Sequence, residues 1–230
     1  MTTARLLLHR HQVMIGAWLL LLLTLLGGTV WAYQDTYPTA NQRDVAVQLA
    51  RADTATTLLY GELPLPGTPA QMYAWEIGGI ATILVSVFAV LLAVALTRAA
   101  EDDGTLELIR GCGVDPRNPL RAAVAVLAAV AAALTIGGSV VIGTWAGDVD
   151  GVTWLGASAL AAALGLTFLL ISVLTVALAQ LASTAPTVRL LGLTAVVAGF
   201  GLRAVADGRG QARFISRRTS ASCLGEPAAR

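Results

Sequence analysis

The sequence contains no lysine, and all fifteen of its basic residues are arginine. The phosphate-binding loop of an ATPase sets a lysine on the nucleotide phosphates. These residues therefore cannot form a P-loop motor. Charge of either sign is scarce as well, at 13% of residues, where a soluble domain carries about 25%. The two cysteines, Cys112 and Cys223, lie in segments of unlike character and point to neither a disulfide framework nor a metal site. The net charge is +1, and no basic patch interleaves with aromatics, so nucleic acid is excluded as a partner. No motif calls for a cofactor.

What is abundant is apolar side chains, at 56%, gathered into long runs. No ionisable residue occurs from Ala122 to Gly147 or from Gly151 to Val188. A soluble fold of this size would have to bury both segments completely, whereas lipid accepts them without cost. The fold class is therefore an all-α integral membrane protein with four or five transmembrane helices. The expected spans are about 13–33, 77–97, 122–145, 154–181 and 188–206, within a membrane domain covering 1–207. The first exceeds the usual apolar length of a signal peptide and lacks a clean cleavage site, which favours an anchor. Trp18, Trp31 and Tyr33 mark its interfacial positions. The fifth is short between Arg189 and Arg203, so crossing requires both to snorkel.

Residues 34–74 form a polar loop in which Asn41 is placed to cap a helix carrying Val45, Leu49, Ala52, Ala55 and Leu59 at helical spacing. This reads as an amphipathic helix on the membrane surface or on neighbouring loops. Arginine placement sets the orientation. Arg5 and Arg10 precede the first span, and Arg98, Arg110, Arg117 and Arg121 occupy the loop 98–121, whereas Asp148 and Asp150 are the charges of the turn after the third span. The N-terminus and the 98–121 loop are expected to be cytoplasmic, and the 34–74 loop to face outward. The tail 208–230 is polar, arginine-rich and without periodicity, which predicts disorder, and five spans would put its arginines outside against the rule.

The most informative stretch runs from Thr97 to Gly111. It reads as a helix with Glu101, Asp102 and Asp103 toward its N-terminal end and Arg110 toward its C-terminal end, as the helix dipole prefers. Glu107 and Arg110 are spaced to pair, which leaves Leu106 and Ile109 for an apolar contact. A solvated connecting loop is the plainer reading of the same residues. Three consecutive acids point in different directions around a helix, so they do not build a metal site.

Here the chain resembles the membrane subunit of actinobacterial ABC-2 type drug exporters, the polyketide or tetronasin-type antibiotic transporters. The residues that carry the resemblance are Leu59-Tyr60-Gly61, Trp75, Thr97-Arg98, Glu101-Asp102, Gly104 and Leu106-Glu107-Leu108-Ile109-Arg110. Ala179-Gln180-Leu181, Pro186 and Arg203-Ala204-Val205-Ala206-Asp207 also fit. The resemblance implies a permease of an ATP-driven efflux system at the cell membrane, exporting a hydrophobic, antibiotic-like molecule. It further implies a separate ABC ATPase subunit as partner, and a second copy or a companion permease half. Arg98, Glu101, Asp102, Gly104, Leu106, Glu107, Ile109 and Arg110 would form the segment coupled to that ATPase. Family members commonly join two such halves, and the tail departs from their pattern, so the expectation is a chain truncated to about one half. A non-transporting remnant or accessory membrane protein is the alternative.

Other signals are weaker. Gly199-Phe200-Gly201-Leu202-Arg203-Ala204 mimics a dinucleotide fingerprint but lies in a membrane span with no βαβ context. His9 and His11 read as interfacial residues rather than ligands. Glu76 sits beside Trp75 at a span boundary, too shallow for a proton-coupled carrier. The spans, mostly Ala, Leu, Val and Gly, display no pocket, and the chain is not expected to be an enzyme.

Overall fold

The computed structural model describes residues 3–29, 35–36, 39–102, 104, 118–145, 149, 151–182 and 184–223, with side chains through 207, Ala100 excepted. Among these residues every regular element is a helix, and there is no strand. Five helices are long and apolar enough to cross a membrane: α1 (Thr3–Gly28), α4 (Pro69–Leu96), α6 (Asn118–Trp145), α7 (Trp154–Leu181) and the Ala185–Asp207 part of α8 (Ala185–Cys223). Between them lie α2 (Ala40–Ala52), α3 (Thr54–Tyr60) and the single-turn α5 (Arg98–Asp102).

The start of α4 departs from the apolar boundary because a polar cap, not hydropathy, fixes it. Helix α4 begins eight residues before the expected span, where Thr68 accepts the amide of Gln71 at 3.2 Å and Gln71 Oε1 accepts the amide of Thr68 at 3.0 Å. This reciprocal box, with Pro69 in the first turn, satisfies amides that would otherwise lack partners. Thr68→Ala should cost about 1 kcal/mol and speed hydrogen exchange at the Gln71 and Met72 amides, with the far end of α4 unaffected. Equal acceleration along all of α4 would contradict a local cap.

In the polar loop the cap is Thr39, not Asn41, again in a box with Gln42. Asp53 then interrupts what the periodicity suggests is one continuous helix. It closes α2 and caps α3, accepting the amides of Ala55 at 3.2 Å and Thr56 at 3.3 Å. The Thr56 hydroxyl first, then the Ala55 amide, holds its carboxyl below the usual carboxylate range. The cap is thus in place above the ordinary carboxylate pKa and is lost as pH falls through the lowered one. Inward-facing residues are Val47 and Thr57, whereas Val45, Leu49 and Leu59 are exposed. Val47 packs with Leu63 and Met72, and a Cβ on Gly67 would run into it.

The membrane helices pack through small residues, as expected where lipid supplies no hydrophobic contrast and close backbone approach must provide the attraction. A Cβ on Gly138 would come 3.1 Å from Ala161, joining α6 to α7, and one on Gly27 would come 2.5 Å from Val141, joining α1 to α6. A ring ladder crosses the core: Trp18 stacks on Phe88 at 5.3 Å, and Phe88 meets Phe168 at 5.2 Å. Trp18 is therefore a mid-helix packing residue and not an interfacial marker, because α1 starts at Thr3, ten residues before the expected span. Trp31 and Tyr33 lie outside the described residues.

The contacts agree with five alternating crossings. On one side the Tyr73 hydroxyl donates to the Leu26 carbonyl at 2.7 Å, and Gly151 abuts Thr68. On the other, the end of α5 meets the start of α8.

Candidate functional site

The segments that carry the resemblance are distant in sequence, and the fold gathers their described parts at two places, one at each end of the Ala185–Asp207 part of α8. At the first, Gly61 closes α3 with a left-handed φ of 87°, a conformation that favours glycine. The carbonyl this turn presents accepts the Trp75 indole N–H at 2.9 Å, and the Tyr60 and Trp75 rings lie 5.1 Å apart. Gly79 leaves room for that arrangement, since a Cβ there would come 2.9 Å from the Tyr60 ring.

Arg203 arrives at the same place from α8. It donates to the carbonyls of Leu59 and Tyr60, the last two of α3, where a cation also complements the helix dipole. Its guanidinium lies 5.7 Å from the centre of the Phe200 ring and its Nε 4.0 Å from the Asp207 carboxylate. The expectation that Arg203 must snorkel to water is thus met differently: backbone carbonyls of the polar loop receive it. Arg189 is exposed.

Beside this cluster is a cavity of about 390 Å³, lined by Tyr60, Trp75, Gly78, Gly79, Thr82, Leu164, Thr167, Phe200 and Arg203 among others. It corrects the expectation that the spans hold no pocket. Composition could not reveal it, because the walls come from α3, α4, α7 and α8, and packing alone brings them together. Its origin is a change in how α8 packs. Near its start α8 is seated: Val188 and Val196 are buried with Val90, Val94 and Ala179, and a Cβ on Gly192 would come 2.9 Å from Val90. Farther along, Gly199 has open space where a side chain would go, and Leu202 and Val205 are exposed.

At the other end, Thr97 terminates α4, its hydroxyl donating to the Ala93 carbonyl at 2.7 Å. Arg98 and Glu101 pair across one turn of α5. Asp102 accepts the backbone N–H of Ala185 at 2.8 Å, so the acidic segment after the second span caps the first turn of the fifth. Gly104 follows with a φ of 69°, and its N–H donates to the Glu101 carbonyl at 3.0 Å. The turn there ends α5, so the helix expected to run on to Arg110 is interrupted. Leu106, Glu107, Ile109 and Arg110 lie outside the described residues, as do Asp148 and Asp150. Among the described residues no three His, Cys, Asp or Glu side chains gather as a metal site.

No family model matches the chain. The chain is similar to the multidrug efflux system permease protein of Mycobacterium tuberculosis, at 29% identity over 204 residues. The match covers 88% of this chain and 36% of that protein, so the chain spans about a third of its relative's length. Five spans and likeness to a permease make this a multi-pass protein of the plasma membrane.

Proposed function

We propose that the chain is the membrane-spanning permease part of an ATP-driven efflux system of the ABC-2 type, of the actinobacterial antibiotic-exporting kind. It would export a hydrophobic, drug-like molecule and work with a separate ATPase subunit and with a second copy or companion half. The observation that carries the reading is the hydrogen bond from the Ala185 amide to Asp102. A segment that meets an ATPase must be mechanically joined to the helices it moves, and this bond joins it to the fifth span. In this orientation the N-terminus, α5 and the start of α8 are cytoplasmic, in keeping with the arginines of the 98–121 loop. Arg98, Glu101, Asp102 and Gly104 form the hinge, and Leu106, Glu107, Ile109 and Arg110 the surface offered to the partner. Likeness to an efflux permease supports the transport role, and with no lysine among these residues none of them forms a phosphate-binding loop, in keeping with ATP hydrolysis outside them.

Affinity purification from membranes tests the reading. The wild-type chain should bring an ATPase subunit with it, whereas Leu106→Asp and Glu107→Arg should lose that subunit and remain inserted. Undiminished recovery of the ATPase with both variants would overturn the docking role.

A further inference from the structure

We infer that the cavity beside Arg203 is a binding site, open sideways to the bilayer, for a small molecule with an apolar body and one anionic group. The inference rests on the permease reading for its purpose and deepens it by naming a substrate class. The volume, about 390 Å³, falls in the lower part of the range of small-molecule pockets, about 300–1,000 Å³. That suits one ring system or one chain rather than a two-chain phospholipid.

The lining decides the chemistry. The Thr82 hydroxyl donates to the Gly78 carbonyl at 2.6 Å and the Thr167 hydroxyl to the Ala163 carbonyl at 2.8 Å. The Trp75 indole N–H is committed to Gly61. With those protons spent on backbone, the walls offer mainly carbon and aromatic faces, the Tyr60 ring with its phenol hydroxyl among them, and these select a largely apolar body.

Arg203 is the charged side chain of the lining. Its Nε is buried and makes no hydrogen bond, and its carboxylate neighbour, Asp207, stands at 4.0 Å in a pair that is partly exposed on both sides. Such a pair compensates a charge weakly. Arginines within membrane spans are rare and mark functional sites, and a partly desolvated guanidinium attracts an anion more strongly than one in bulk water. The two backbone carbonyls it reaches fix its position but do not cancel its charge.

The route in is lateral. The cavity forms where α8 leaves its seat against α4 and α7, and Ala163 and Gly199 on its walls are exposed. An occupant would therefore come from the lipid phase.

The test uses the full chain in nanodiscs, with Trp18, Trp31, Trp145 and Trp154 replaced by phenylalanine so that Trp75 alone reports. The probes are dibrominated stearate, ionised above neutral pH, and its uncharged methyl ester, each of which quenches tryptophan on contact. Stearate should quench saturably, and the ester should bind roughly tenfold more weakly, the loss expected for one charge-assisted hydrogen bond. Arg203→Gln should bring the acid down to the ester and leave the ester unchanged. Gly199→Phe, which fills open space and keeps Arg203, should remove saturable quenching by both, so the decision stands even if Arg203→Gln fails to fold. Quenching that rises linearly with bromine content, equally for acid and ester, would overturn the site. Displacement of stearate by unlabelled phosphatidylglycerol would overturn the small-molecule assignment in favour of a lipid. No ATPase is needed, so failure here leaves the permease reading standing, and failure of co-purification leaves this site standing.

Discussion

Replacing Gly165 with leucine should force α6 and α7 apart and abolish the folded bundle. A Cβ at this position already collides with the Thr135 hydroxyl and comes 3.1 Å from the Ala131 carbonyl. The hydroxyl can rotate away, but the carbonyl is backbone and can yield only if the helix moves. Two opposed effects bear on the smaller change, Gly165→Ala. Alanine gains about 1 kcal/mol in helix propensity, and overpacking costs about 1–3 kcal/mol. With a backbone atom at contact the second term wins, so alanine should destabilise, by about 1 kcal/mol net on those figures, and leucine by several-fold more. Thr135→Ala in the Gly165→Ala background should restore part of the loss by removing the hydroxyl and none of the part owed to the carbonyl. Unfolding by detergent titration measures all three. If Gly165→Ala matched the wild type, α6 and α7 would not touch as closely here as the backbone places them.

That close approach was legible in the sequence only as a tendency. The many alanines and glycines of the fourth span announce tight neighbours, yet which glycine meets which backbone depends on rotation about the helix axis, and a nearly uniform apolar surface does not encode it. The spans themselves were legible because lipid imposes a length and a hydropathy that few other structures share. Their ends were less so: the reciprocal Thr68–Gln71 box is a sequence signal with Pro69 beside it, but hydropathy pointed farther along the chain. The loop helices carried a misleading stripe. Val45, Leu49 and Leu59 recur at helical spacing but are exposed, because Asp53 breaks the helix and Val47 is drawn inward to the Gly67 turn. At the candidate site, Leu59-Tyr60-Gly61, Trp75 and Arg203 could be named one by one, but nothing in a linear reading joins them. Their meeting follows from α8 crossing back to the side where α3 ends, a fact of topology.

Asp102→Ala should have a small effect on stability and, if the proposed coupling holds, a large one on efflux. Losing a capping carboxylate costs about 0.5–2 kcal/mol, too little to unfold five packed spans. What is lost is the attachment of α5 to the first turn of α8. About five turns along, near the end of its Ala185–Asp207 part, α8 carries Arg203, and Arg203 holds the carbonyls that end α3. A displacement of α5 by an ATPase would therefore reach the loop on the opposite side through one rigid helix, provided Asp102 keeps its grip. The expected phenotype is an intact complex that hydrolyses ATP without exporting drug. Asp102→Asn separates this role from charge-based docking, because asparagine keeps the acceptor oxygen for the Ala185 amide and gives up the negative charge. If the cap is what matters, asparagine should retain most of the efflux that alanine loses, with ATPase recovery equal in both. Equal loss in the two variants, together with loss of the ATPase, would assign Asp102 to the docking surface and leave the α8 connection without a role in transport.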